Sequence, residues 1–174
     1  MIPVSPAYKF IKYSSSWSND AAGSGHGRGR LYSPQAWSAG RNAVGEWMQF
    51  DLGRVDEVSG ITTQRRGDYN GQFVSSYKVM TSPDGKKWDW VECGRIFEGN
   101  DATNPTDMEV RRMFEFPIHA RYVRIVVQSW NQHISMRAGV LTCEQPCKKK
   151  QLDYSLQRTL LSTSDGPALA APWF

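Results

Sequence analysis

The 174-residue chain is predicted to be an all-β sandwich or barrel, and three observations carry that prediction. Short apolar runs recur at even spacing, separated by clusters of Gly, Pro, Asn, Asp and Ser, the pattern of strands joined by tight turns. Trp, Tyr and Phe occur seven times each, and such large rings fill the space between two inner sheet faces. No stretch sustains the apolar period of a long helix, while 15 glycines and nine prolines suit a turn-rich chain.

Residues 1–12 form an arm into the first strand, with Tyr8, Phe10 and Ile11 expected to close the core. Ser14, Ser15, Ser16 and Trp17 end that strand. The segment SNDAAGSGHGRGR that follows is a long exposed loop. It lacks the Gly-Lys-Ser/Thr and the strand–loop–helix setting of a phosphate loop, so nucleotide binding is set aside. Leu31 and Tyr32 begin the return, and residues 34–37 turn. Residues 46–51 alternate around Trp47 and Phe50, as a strand with one packed face does. Residues 58–63 and 77–80 make the next two strands, on either side of a polar loop at 65–72.

Ser82-Pro83-Asp84-Gly85 carries turn chemistry and predicts a hairpin into a strand at 88–91. Ile96 and Phe97 make a short strand, and residues 98–105 a loop with three Asx residues. Residues 110–116 alternate until Pro117 is expected to stop them. The run RYVRIVV at 121–127 is the strongest strand, rich in β-branched residues, and residues 134–141 return as the last.

The net charge of +4 is mild and its basic residues are scattered, which fits an ordinary solvated surface. No nucleic-acid recognition motif is present. No apolar run approaches the ~20 residues that cross a bilayer, and the first residues lack the apolar core of a signal peptide. The expectation is therefore a cytoplasmic protein, cytoskeleton-associated in one version, or a piece of a larger extracellular or cell-surface one. Cys93, Cys143 and Cys147 are odd in number and lack metal-site spacing, so free thiols are expected. Residues 145–174 change character. Lys148-Lys149-Lys150 precedes a short amphipathic helix through Leu152, Leu156, Leu160 and Leu161, and the chain ends in Trp173-Phe174. This extension either folds back or serves a partner.

His26, His119 and His133 show no nucleophile or carboxylate pairing, which argues against an enzyme. His119 and His133 are assigned to the scaffold, as are Trp37, Trp47, Trp88 and Trp130. Arg124 and Arg137 are expected to pair with carboxylates such as Asp51. A first loop could touch a ligand through Trp17, Asn19, Asp20, His26 or Arg28. A sugar needs planar hydrogen-bonding groups and an aromatic face, and Arg65, Asp68, Tyr69 and Asn70 supply these in the second loop. Arg66-Gly67-Asp68 is also the tripeptide that many adhesion receptors recognise.

These residues carry a resemblance. SSSWSND at 14–20, GEWMQFDLG at 45–53, VSGITTQ at 58–64, FVSSYKVMTSPDGKKW at 73–88, IFEGN at 96–100 and PIHARYVRIVVQSWNQHISMRAGVLTCE at 117–144 fall in the order and spacing of the coagulation factor 5/8 type C (discoidin) domain family. The resemblance implies a galactose-binding-domain-like jelly-roll sandwich over residues 1–144, of eight strands, with loops projecting at one end. Those loops are residues 19–28, 65–72 and 99–105. It implies a glycan or protein ligand in adhesion or recognition, and a calcium ion at Asn100 and Asp101 in some relatives. The alternative is an intracellular assembly module, cytoskeletal or ciliary, docking through its faces and residues 145–174. Relatives outside the cell tie the domain ends with a disulfide, but Cys143 has no candidate partner before Cys93. The loop tips are polar apart from Tyr69 and Phe73, which disfavours membrane insertion.

Overall fold

The computed structural model describes residues 1–142. The expectations for Cys143, Cys147, the leucine helix and Trp173-Phe174 lie outside the described residues. Among the described residues nine strands form the fold: β1 (Ile2–Val4), β2 (Ile11–Tyr13), β3 (Trp37–Ser38), β4 (Trp47–Gln64), β5 (Phe73–Ser82), β6 (Asp89–Trp90), β7 (Phe97–Glu98), β8 (Val110–Asn131) and β9 (Ser135–Thr142). All named strand pairs are antiparallel. Helical structure among the described residues is limited to 3-10 turns at Tyr8–Phe10, Trp17–Asn19 and Val91–Gly94.

Two bent strands build both layers of the jelly roll. The first part of β4 pairs with β2 and with the end of β8, which continues through β5 to β6 and β7. The second part of β4 pairs with the start of β8 and with β9, which also carries β1 and β3. The bends are bulges. Pairing of β4 with β8 jumps from Asp51–Tyr122 to Asp56–Ala120, and again from Val58–Ile118 to Gly60–Met113. Gly53, at φ +80°, takes the first jump in a conformation that side chains disfavour. Pro117 lies in the second, where β8 is unpaired with β4.

This corrects two expectations. Residues 46–51 and 58–63 are one bent strand, and Pro117 does not stop β8, because a proline inside a bulge forfeits no ladder hydrogen bond. The arm also differs from expectation. Residues 2–4 pair with β9, Ile11 is buried, and Phe10 is 40 % exposed with the Lys9 ammonium over its ring. The predicted hairpin is present, its turn held by Asp84, whose carboxylate accepts the N–H groups of Lys86 and Lys87 at 2.8 and 3.0 Å.

Trp37 sits at the centre of the core. It is fully buried, stacks on Tyr13 at 5.4 Å between centroids and 5° between planes, and donates its indole N–H to the Ser15 carbonyl at 2.8 Å. Around it Met48, Phe50, Ile61, Ile125 and Met136 come from both layers. Trp37→Ala leaves a large cavity and an unpaired carbonyl, so a loss of about 3–5 kcal/mol in urea unfolding is expected. A loss under about 1 kcal/mol would show that the site collapses around the gap.

Candidate functional site

The three projecting loops lie between β2 and β3, between β4 and β5, and between β7 and β8, and buried arginines fix their bases. Arg137 of β9 is 1 % exposed. Its Nε donates to the Arg65 carbonyl at 2.7 Å, Nη1 to Ser33 O and Asp107 Oδ1 at 2.9 Å each, and Nη2 to Thr106 O at 2.7 Å. Beside it, Gln64 accepts the Tyr32 N–H at 2.8 Å and donates to the Asp107 carbonyl at 2.7 Å. Arg137 does meet a carboxylate, as expected, but that carboxylate is Asp107. Asp51 is taken instead by Arg121, at 2.8 and 2.9 Å, while Arg124 bonds to Gln49, which the strand register places opposite it.

Several expected ligand contacts belong to the scaffold. Arg65 is 5 % exposed, lies 5.0 Å over the Phe73 ring, and donates Nη1 to the Ala102 and Asn104 carbonyls. Its guanidinium bridges the second loop to the third and does not face a ligand. Phe73 is buried beneath it and adds no apolar tip. Asn100 is buried and turned towards Asn104, while Asp101 Oδ1 accepts the N–H groups of Thr103 and Asn104 at 2.7 and 3.2 Å. The two carbonyls already accept from Arg65, and among the described residues no three His, Cys, Asp or Glu gather to hold a metal. Arg28 is half-buried, Tyr69 and Asn70 are exposed, and the exposed Asn19 lines a separate hollow with Asp20 and Trp47.

A cleft of about 280 Å³ opens between the first two loops, lined by Trp17, His26, Ser38, Arg66, Gln72 and His133. The Trp17 indole is half exposed and flanked by two imidazoles, His133 edge-on at 5.4 Å and His26 at 6.3 Å. His133 Nε2 lies 2.8 Å from the Ala39 carbonyl. A carbonyl only accepts, so Nε2 carries the proton and Nδ1 is left as an acceptor in the neutral ring. On the floor, Gln72 Oε1 accepts from Arg66 Nη1 at 2.9 Å and from Ser135 Oγ at 3.0 Å, and Ser135 bonds Ser38 at 2.8 Å.

The cleft's charges are paired internally. Arg66 donates to both carboxylate oxygens of Asp68, at 2.6 and 3.0 Å. That guanidinium holds the Asp68 carboxyl below its ordinary range. Asp20 Oδ2 accepts the His26 backbone N–H at 2.8 Å and the His26 Nδ1–H at 2.9 Å, which fold the first loop over. Gly25 permits that fold, since a Cβ there would stand 2.1 Å from Asp20 Oδ2. The Arg and Asp of the Arg-Gly-Asp tripeptide are thus bound to each other. Among the expected residues the fold brings together Trp17, His26 and Arg66, with Asp20 and Asp68 behind them. It adds Ser38, Gln72 and His133, the last having been assigned to the scaffold. A larger hollow of about 580 Å³ lies at the opposite end, under the Asp51–Asp56 bulge. It lacks this convergence of rings and hydrogen-bonding groups, so size does not decide the site.

The F5/8 type C domain matches residues 9–140. The chain belongs to this family. The family is one of non-catalytic binding modules, and residues 9–140 form a ligand-binding module. Lactadherin of Rattus norvegicus is 40 % identical over 112 residues, 62 % of this chain and 26 % of that protein. The chain therefore spans about a quarter of that relative. Discoidin II of Dictyostelium discoideum superposes at a TM-score of 0.62 with 22 % identity, covering 78 % of this chain and 55 % of that one. The family 32 CBM of C. perfringens NanJ, solved in complex with galactose, superposes at 0.56 with 19 % identity, covering 75 % and 90 %. At these identities the two structures establish the fold.

The Asp20 carboxyl is held below its ordinary value of 3.8, first by the His26 backbone N–H and then by the His26 ring. A depressed folded pKa stabilises the loop above the unfolded value, and that contribution is lost as pH falls through the folded one. The His26 amide proton should therefore shift towards its unbonded position on acidification below pH 3.8. In Asp20→Asn the shift should be absent. The same acid transition in Asp20→Asn would assign it to another group.

Proposed function

We propose that this chain recognises an uncharged saccharide in the cleft between its first two loops. The observation that carries the proposal is the half-exposed Trp17 indole fenced by His26 and His133 above the fixed Arg66–Gln72 floor. A pyranose ring offers a C–H face to an indole and hydroxyls to imidazole, guanidinium and amide groups. Arg66 is neutralised by Asp68, and Asp20 accepts the backbone and ring N–H groups of His26, so the cleft offers hydrogen bonds without an unpaired cation. That favours a neutral sugar over an acidic one. The galactose complex of the C. perfringens module supports a saccharide for this fold.

In this reading, adhesion or recognition by a longer protein would run through the cleft and not through Arg-Gly-Asp. A receptor reaching for the tripeptide would first have to break the two-point Arg66–Asp68 pair. Asp68 therefore keeps Arg66 in the cleft instead of offering it to the exterior.

A glycan array probed with the wild-type chain should give neutral-sugar hits. Trp17→Ala and His133→Ala should each weaken those hits on the order of tenfold with unchanged melting temperatures. Absence of glycan hits, or hits that survive both substitutions, would refute the proposal.

A further inference from the structure

Basic residues that are scattered along the sequence gather on the outer surface of one layer. The register aligns Lys12, Gln49, Arg124, Met80 and Trp90 in a single row across β2, β4, β8, β5 and β6. Two residues along, Trp47, Val126 and Lys78 form a second row on the same face, since alternate residues of a strand share a face. The residues between them, Met48, Ile125 and Val79, are buried in the core, so both rows point away from it.

Arg124 is clamped on this face. Its guanidinium lies 4.3 Å from the Trp47 ring centroid and 4.1 Å from that of Trp88. Nε and Nη2 both donate to Gln49 Oε1, at 3.2 and 2.8 Å. Lys78 sits 5.7 Å over the Trp90 ring, and Lys12 is exposed. Asp51, one row further at Tyr122, is occupied by Arg121. Lys12, Lys78 and Arg124 stand outside the ion pairs of the described residues.

We propose that this face binds a linear sulfated polysaccharide, at a site separate from the cleft. Strands ~4.8 Å apart place Lys12 and Arg124 roughly 10 Å from each other, with Lys78 one strand beyond. A chain of repeated anionic groups meets all three cations in one pass. Arg124, held between two indoles, has already lost its side-chain freedom, so engaging a sulfate costs little further ordering. Other polyanions fit less well. Arg124 stands on β8, which is paired with β4 on one side and β5 on the other, so an acidic peptide cannot reach it by adding a strand. Cations cover a face of Trp47, Trp88 and Trp90, the aromatic surface on which nucleic-acid bases would stack.

The test is titration calorimetry with a size-fractionated heparin oligosaccharide at physiological ionic strength. The pair Lys12→Gln/Lys78→Gln should weaken binding on the order of tenfold. The pair Lys9→Gln/Arg54→Gln makes the same change of net charge elsewhere and should leave binding intact, as should His133→Ala in the cleft. The proposal is overturned by the absence of heparin binding, by equal losses in the two double variants, or by loss in His133→Ala. Displacement by a thymidine oligonucleotide as effective as that by free heparin would also overturn it.

Discussion

Arg137 donates from inside β9 to the carbonyls of Arg65, Ser33 and Thr106, so one buried guanidinium meets the base of the second loop, the return of the first and the exit of the third. A buried charge is tolerated only when its donors are satisfied, and removing a partner leaves an uncompensated charge in the interior. Its carboxylate partner, Asp107, has a side chain that is 71 % exposed, so much of the compensation falls to the carbonyls. The loops are therefore coupled: each finds its place by completing the same coordination. Arg65 adds a second bridge between the second and third loops, and Gln64 one between Tyr32 and Asp107.

The cleft inherits that rigidity. Arg66 follows Arg65 directly and Gln72 precedes the buried Phe73, so both ends of the second loop are fixed before its tip begins. Charge is handled differently on the two surfaces that bear on function. In the cleft each loop satisfies its own ion, Asp20 by hydrogen bonds from His26 and Arg66 by the Asp68 carboxylate. On the outer sheet face Arg124 is held by aromatic rings and an amide oxygen, which stabilise a cation without cancelling its charge. The first arrangement suits hydrogen-bonded recognition of a neutral ligand, the second attraction of an anionic polymer.

Alternation and turn residues made the strands legible in the sequence. The Ser82–Gly85 turn, the 121–127 strand and the loop positions follow from local chemistry, and the family motifs arrange them into a jelly roll. What local chemistry does not encode is where a strand bends without ending. Pro117 and Gly53 look like stops until the bulges between β4 and β8 absorb them. At the site, His26 and Arg66 were legible because they stand on glycine-containing loops, and Trp17 because it is a large ring just before the first of them. His133 was not, because its approach to Trp17 depends on how the start of β9 sits beside the first loop. Arg65 and Arg66 are adjacent and chemically identical. Only the packing of Phe73 and the third loop sends one guanidinium inward and leaves the other in the cleft.

Hydrogen exchange on Arg137→Met tests the coupling most directly. Reporters exist in all three segments: Ser33 N–H bonded to Arg30, Gly67 N–H bonded to Gln35, and Asn104 N–H bonded to Asp101. All three should lose protection together, while core amides such as those of Val79 and Ile125 keep theirs. Loss confined to one segment, or protection unchanged in all three, would contradict it.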